Sequence, residues 1–101
     1  MKGTKKLNKL FENRHRLSIM YMLLKKDFTE FNKLKINLEI TDGNLASHLK
    51  ILEQNKIILV KKQFIQKKPL TTYQVSVTGK AAFLSHINGL EEIIIEIKKS
   101  A

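Results

Sequence analysis

Apolar residues recur at steps of three and four along most of this chain, and at steps of two in one stretch only. The helical period begins with Leu7, Leu10 and Phe11 and predicts a first helix over roughly 4–12. Asn13 then suits the cap of a second helix that runs to about Lys26 with Leu17, Met20, Tyr21 and Leu24 inward. Thr29 suits the cap of a short helix whose Phe31 and Leu34 face inward and which ends near Asn37. Leu45, Leu49 and Leu52 mark the buried stripe of a further helix beginning at Thr41, so that two short helices are joined by a tight turn. From Ile57 the period changes. ILVKKQFI is rich in β-formers, QKKP is a polar tip, and LTTYQVSV alternates, which together predict a two-stranded hairpin. Thr78 is placed to cap a last helix in which Phe83, Ile87, Leu90, Ile94 and Ile97 recur at steps of four, three, four and three, the spacing of a coiled-coil seam. The predicted fold is α+β and mainly α: three or four helices, a hairpin and one long helix.

The helix from Thr41 opens on residues that are poor in a helix interior. Thr41 can accept a backbone N–H and Asp42 suits the positive end of the dipole, but Gly43 and Asn44 have no such excuse, and Gly costs about 0.8–1 kcal/mol relative to Ala. With the leucines inward, Gly43, Ser47, Lys50 and Gln54 lie on the opposite face, with Asn44 and His48 on its flank. A solvated face more usually carries Glu and Lys, whereas a helix entering the major groove of DNA needs short polar side chains and close backbone approach. A capped surface helix is the plain alternative. On the DNA reading, Gly43, Asn44, Ser47 and His48 contact bases: Asn pairs with adenine, Ser bonds most base edges, and Gly admits the backbone. Asp42 either accepts from a cytosine amino group or, the preferred reading, only favours the dipole. His48 has a core-flanking role as its alternative.

Charge narrows the partner. Nineteen Lys and Arg against nine Asp and Glu give a net charge of +10, which points to a polyanion: nucleic acid first, an anionic membrane surface second. Between Gln54 and Leu90 the charged residues are Lys56, Lys61, Lys62, Lys67, Lys68 and Lys80, with no acid among them. A hairpin needing only solubility would mix signs, so Lys61, Lys62, Lys67, Lys68 and Thr71 are expected on the phosphate backbone, together with Thr41 and Lys50. Arg14 and Arg16, at the start of the second helix, could grip phosphate from the other side or be plain surface cations.

Other functions find little support. The longest apolar run, Ile19 to Leu24, is far short of the roughly 20 residues that span a bilayer, and no charged-then-apolar segment opens the sequence, so a cytoplasmic protein without a membrane partner is expected. The chain has no cysteine, which removes disulfides and thiolate metal sites. His15 and His86 are not at ligand spacing from each other or from a carboxylate, and neither metal nor cofactor is expected. There is no phosphate loop, HExxH or serine elbow, and Glu91 and Glu92 are adjacent on a helix and point about 100° apart, so the chain is not expected to be an enzyme. The remaining alternative is that the same helices and hairpin form a module for protein or RNA contact. The polar first turn of the 41–54 helix argues against it, because an apolar partner groove would not tolerate those residues.

A helix-turn-helix followed at once by a hairpin is the winged helix. From Asn13 to about Ile94 the sequence resembles the small winged-helix transcriptional regulators of the MarR and ArsR type. The residues that carry the resemblance are Thr41, Asp42, Gly43, Asn44, Leu45, His48, Leu49, Leu52 and Glu53, then Lys67, Lys68, Pro69, Thr71, Thr72, Tyr73, Thr78 and Gly79. The resemblance implies a cytoplasmic, DNA-binding homodimer acting on transcription, with the helix from Thr41 in the major groove and the hairpin tip beside it. The chain departs from metal-sensing members by lacking cysteine, and from larger MarR members by lacking room for a developed effector cavity; no effector is named by the sequence. One domain, 1–101, is expected, with a winged-helix body over 13–78. Segments 1–12 and 79–101 would then dimerise through Leu7, Leu10, Phe11, Phe83, Ile87, Leu90, Ile94 and Ile97, a stripe whose alternative role is to cover its own domain.

Overall fold

In the computed structural model, which describes residues 2–100, the chain forms α1 (Lys2–Lys5), a 3-10 turn (Lys9–Phe11), α2 (Arg14–Lys25), β1 (Thr29–Glu30), α3 (Phe31–Leu38), α4 (Asp42–Gln54), β2 (Ile58–Ile65), β3 (Lys68–Val75) and α5 (Val77–Ser100). The expected first helix over 4–12 is broken in two. The Asn8 side chain accepts the Leu10 N–H at 2.9 Å, and an Asn bonding its own local backbone competes with a continuing helix. Asn13 caps α2 as expected, accepting from the N–H groups of His15 and Arg16 at 3.0 and 3.1 Å. The buried face of α2 is Ile19, Met20 and Leu23, whereas Tyr21, expected inward, is 60% exposed. Six consecutive apolar residues surround the helix, so their periodicity does not select a face.

The sheet has three strands, ordered β1-β3-β2 and antiparallel throughout. Thr29 was expected to cap a helix, but it pairs with Tyr73 in the sheet and its hydroxyl donates to the Lys26 carbonyl at 3.1 Å. Glu30 stands at the start of α3 without a side-chain bond. The hairpin turns on Gln66 and Lys67, with φ of 53° and 64°. Positive φ at both central residues is the requirement of a type I′ turn, which matches the twist of the flanking strands. Lys68 and Pro69, expected in the tip, belong to β3 opposite Ile65 and Phe64. Proline is tolerated there because β1 pairs only with Thr72 and Tyr73, leaving Pro69 with a neighbour on one side.

Both helices of the helix-turn-helix end in the same manner. Glu39 (φ 50°) follows α3 and Lys56 (φ 59°) follows α4, and in each case the next residue donates back, Ile40 to Lys35 and Ile57 to Leu52, closing the Schellman pattern. The start of α5 is then fixed on that second turn. Ser76 Oγ donates to the carbonyls of Lys56 and Ile57 and accepts the Gly79 N–H at 2.9 Å, so Ser76, not Thr78, is the cap. Gly79 is required by contact: a Cβ there would collide with the Ile57 carbonyl.

The core gathers Phe11, Ile19, Met20, Leu23, Leu34, Ile40, Leu45, Leu49, Leu52, Ile57, Ile58 and Phe83. Phe11 and Phe83, expected on the dimer seam, are therefore used within the protomer. They meet edge to face at a centroid distance of 5.0 Å, a favoured aromatic geometry, and Phe11 is only 1% exposed. Leu10 and Ile87 pack against the same core. His86, 2% exposed, closes this end and accepts the Asn8 N–H on Nδ1 at 2.9 Å. Farther along, α1 crosses α5 backbone to backbone. A Cβ on Gly3 would stand 2.7 Å from the Gly89 oxygen, and one on Gly89 2.6 Å from the Gly3 oxygen, while Lys6 Nζ meets Glu92 Oε1 at 2.8 Å. Past this crossing α5 leaves the body, with Ile94, Ile95 and Ile97 exposed, and gives the molecule its 58 Å long axis against 26 and 20 Å.

Candidate nucleic-acid interface

The first turn of α4 has the form its sequence demands. Thr41 Oγ1 accepts the Asn44 N–H at 3.2 Å, and Leu45, Leu49 and Leu52 are buried. Gly43, Asn44, Ser47 and Lys50 consequently share the exposed side of the helix, and a Cβ built on Gly43 meets nothing within 4 Å. The glycine is thus unnecessary for packing inside the chain, in contrast to Gly3, Gly79 and Gly89. It leaves the helix start bare for whatever approaches from outside.

Asp42 in this turn forms an ion pair with Lys35 of α3 at 2.8 Å. Lys35 was not anticipated from the sequence. It lies across the turn between the two helices and offsets the negative charge of Asp42 beside Thr41. Both side chains are well exposed, so the pair contributes little to stability.

His48 is half-buried, and its Nδ1 lies 3.1 Å from Nη1 of Arg16. Arg16 also donates from Nε to the Leu10 carbonyl at 2.7 Å, so the guanidinium bridges the 3-10 turn to α4. Both contacts draw Arg16, expected on the phosphate backbone, inward against the protein, where it is half-buried. The His15 ring lies 5.5 Å from that of His48. Burial first, then Arg16 and His15, lower the His48 pKa. Arg14, by contrast, stays exposed at the start of α2.

On the hairpin Lys61, Lys62, Lys67 and Lys68 are all exposed, and Thr71, half-buried, faces Lys62 across the ladder. Lys61 Nζ lies 5.9 Å from the centre of the Phe28 ring, a cation–π contact that holds its stem along the sheet. An open cleft of about 450 Å³ between α2 and α3 is lined by residues that include Tyr21, Lys25, Lys26 and Lys33, and no sequence-predicted contact residue borders it. Among the described residues, three or more His, Cys, Asp or Glu side chains nowhere gather as metal ligands, and no helix is long and apolar enough to cross a membrane.

Known proteins place this arrangement. Residues 15–94 match the model of the winged helix DNA-binding domain, and the chain belongs to that family. An uncharacterized protein of Methanocaldococcus jannaschii is 37% identical over 79 residues, 78% of this chain and 86% of its own. The structure of a transcriptional regulator homologue from Pyrococcus horikoshii superposes with a TM-score of 0.83 at 29% identity, covering 96% of this chain and 98% of that one. A MarR-family regulator structure from Enterococcus faecalis shares the fold, with a TM-score of 0.70 at 20% identity over 98% of this chain and 87% of its own.

Proposed function

We propose that the chain is a homodimeric transcriptional regulator that binds double-stranded DNA in a sequence-specific manner, in the cytoplasm. The observation that carries this is the exposed first turn of α4, where Gly43, Asn44 and Ser47 form a small, neutral, hydrogen-bonding surface of the kind a major groove accepts. In this reading α4 contacts bases through Gly43, Asn44, Ser47 and His48. Thr41, Lys50, Arg14, Lys61, Lys62, Lys67, Lys68 and Thr71 hold the phosphate backbone, which positions the protein without specifying sequence.

The dimer is supported by the projecting half of α5. Ile94 and Ile97 are 49% and 60% exposed, beyond the reach of their own body, and a second copy would cover them. Leu90, Leu7, Leu10 and Ile87, each only half-buried, would extend that seam toward the body, whereas the buried Phe11 and Phe83 are not available to it. Two-fold symmetry about such a seam would present two α4 helices to one face of the duplex about 34–36 Å apart, one helical turn. Enrichment of bound duplexes from a random pool tests the whole reading. The expected product is a palindrome with half-sites one turn apart; recovery of the unselected pool would overturn sequence specificity, and a single asymmetric site would overturn the symmetric dimer.

A further inference from the structure

We propose that Arg16 is a positioning residue that fixes His48 as the Nε2–H tautomer, so that His48 offers DNA a hydrogen-bond donor and no acceptor. The inference rests on the DNA-binding reading above and deepens it. A guanidinium carries only N–H donors and keeps its proton in proteins. At 3.1 Å from Nη1, His48 Nδ1 must therefore supply the lone pair, since a proton on it would set two donors against each other. The ring's single proton is left on Nε2. Among the described residues that atom makes no hydrogen bond, and it keeps some exposure to solvent.

Three features hold the geometry. The Arg16 fork is anchored at its other edge by the Nε–H bond to the Leu10 carbonyl at 2.7 Å, so the guanidinium plane is set before it meets the imidazole. Arg16 itself stands in the first turn of α2, where Asn13 accepts its backbone N–H. The His15 ring, 5.5 Å away and tilted by 43°, closes one side of the imidazole. The titratable and charged groups facing His48 are Arg16 and His15, both from α2; each disfavours a second proton on the ring, as burial does.

The chemistry of the reading follows. A ring that only donates matches guanine N7 and O6, adenine N7 or thymine O4, and opposes the cytosine amino group, which is itself a donor. A histidine free to exchange tautomers would also accept at this atom for part of the time and would discriminate less. The selectivity of α4 at the base facing His48 is thus set from α2, by a residue 32 positions away in sequence.

Two measurements test this. Histidine-ring ¹H–¹⁵N spectra of the free wild-type protein at neutral pH should show His48 unprotonated at Nδ1 and protonated at Nε2. A Nδ1–H ring or an imidazolium overturns the proposal without any DNA present, and independently of whether the Arg16 variant folds. Second, Arg16→Lys keeps the charge but loses the fork. Enrichment from the random pool should then lose preference at one position per half-site, the one lost in His48→Ala, with the other positions and the salt dependence retained. Adding Arg16→Lys to His48→Ala should change the preference no further. An Arg16→Lys protein that binds all sequences more weakly with its preference intact makes Arg16 a phosphate or purely structural contact and overturns the proposal. A wild type that enriches nothing overturns the DNA reading itself, whatever the spectra show.

Discussion

Replacing Lys67 and Lys68 together by alanine separates the wing's electrostatic role from any role in reading bases. Both side chains are exposed, Lys67 in the turn and Lys68 in the first position of β3. Their removal leaves the ladder bonds and the apolar core untouched. If each neutralises one phosphate, the slope of log affinity against log salt should become less negative by about 1.8, at roughly 0.9 per contact. Raising salt fourfold, from about 50 to about 200 mM, should therefore weaken the wild type about 12-fold more than the variant. Fluorescence anisotropy with one operator duplex and one scrambled duplex, each over that salt range, gives both slopes. The two duplexes should respond alike, because phosphate contacts carry no sequence information. Lys98→Ala with Lys99→Ala, at the far end of α5, removes the same charge and should leave the slope nearly unchanged. An unchanged slope in the wing variant, or an equal change in the α5 variant, would refute the placement of the wing on the backbone; a shifted sequence preference would make the wing a base reader.

Three further outcomes follow from the packing. Gly79→Ala forces a methyl against the Ile57 carbonyl and should lower stability by about 1–3 kcal/mol in urea unfolding; a neutral substitution would show that the start of α5 is not held there. Ile94→Glu should sediment as a folded monomer and bind operator more weakly, and a variant that remains dimeric would place the seam elsewhere. Burial lowers the His86 pKa, with Glu12 opposing, so the unfolded chain takes up the proton first as pH falls. The stability due to neutral His86 is then fully present above about pH 6.5 and is lost progressively as pH drops through the lower native value. Urea midpoints of the wild type should fall between pH 7.5 and 5 by more than those of His86→Gln, whose side-chain oxygen can still accept the Asn8 N–H; parallel curves would contradict the assignment.

The parts of this fold that the sequence displays are those with a long enough period. Leu45, Leu49 and Leu52 define α4, and the alternation through Tyr73 and Val75 defines the hairpin, because each face repeats several times. β1 is two residues long and has no period to display; only its partners Thr72 and Tyr73, more than forty residues on, make it a strand. The break after Lys5 follows from one side-chain bond at Asn8, and the outward turn of Tyr21 from an apolar run without a polar face. The stripe on α5 was visible, but not that its partner changes along the helix: Phe83 meets Phe11 in the core, Gly89 meets Gly3 at the crossing, and Ile94 and Ile97 remain exposed. Isolated glycines inside helical patterns were the available signal for that crossing. The candidate site was legible where exposure followed from the leucine stripe, at Gly43, Asn44 and Ser47. It was not legible at Arg16, whose two contacts join segments that only the fold brings together.

The claim that α4 reads bases through its first turn is tested most directly by single-base scanning of the enriched operator with wild-type protein and Asn44→Ala. The wild type should lose about 1–3 kcal/mol at the base pair facing Asn44, the usual worth of a bidentate pair. Asn44→Ala should lose that discrimination while keeping it at the other positions, with an unchanged melting temperature, since the side chain points away from the buried leucines. An Asn44→Ala protein that retains the complete wild-type preference profile would contradict the account.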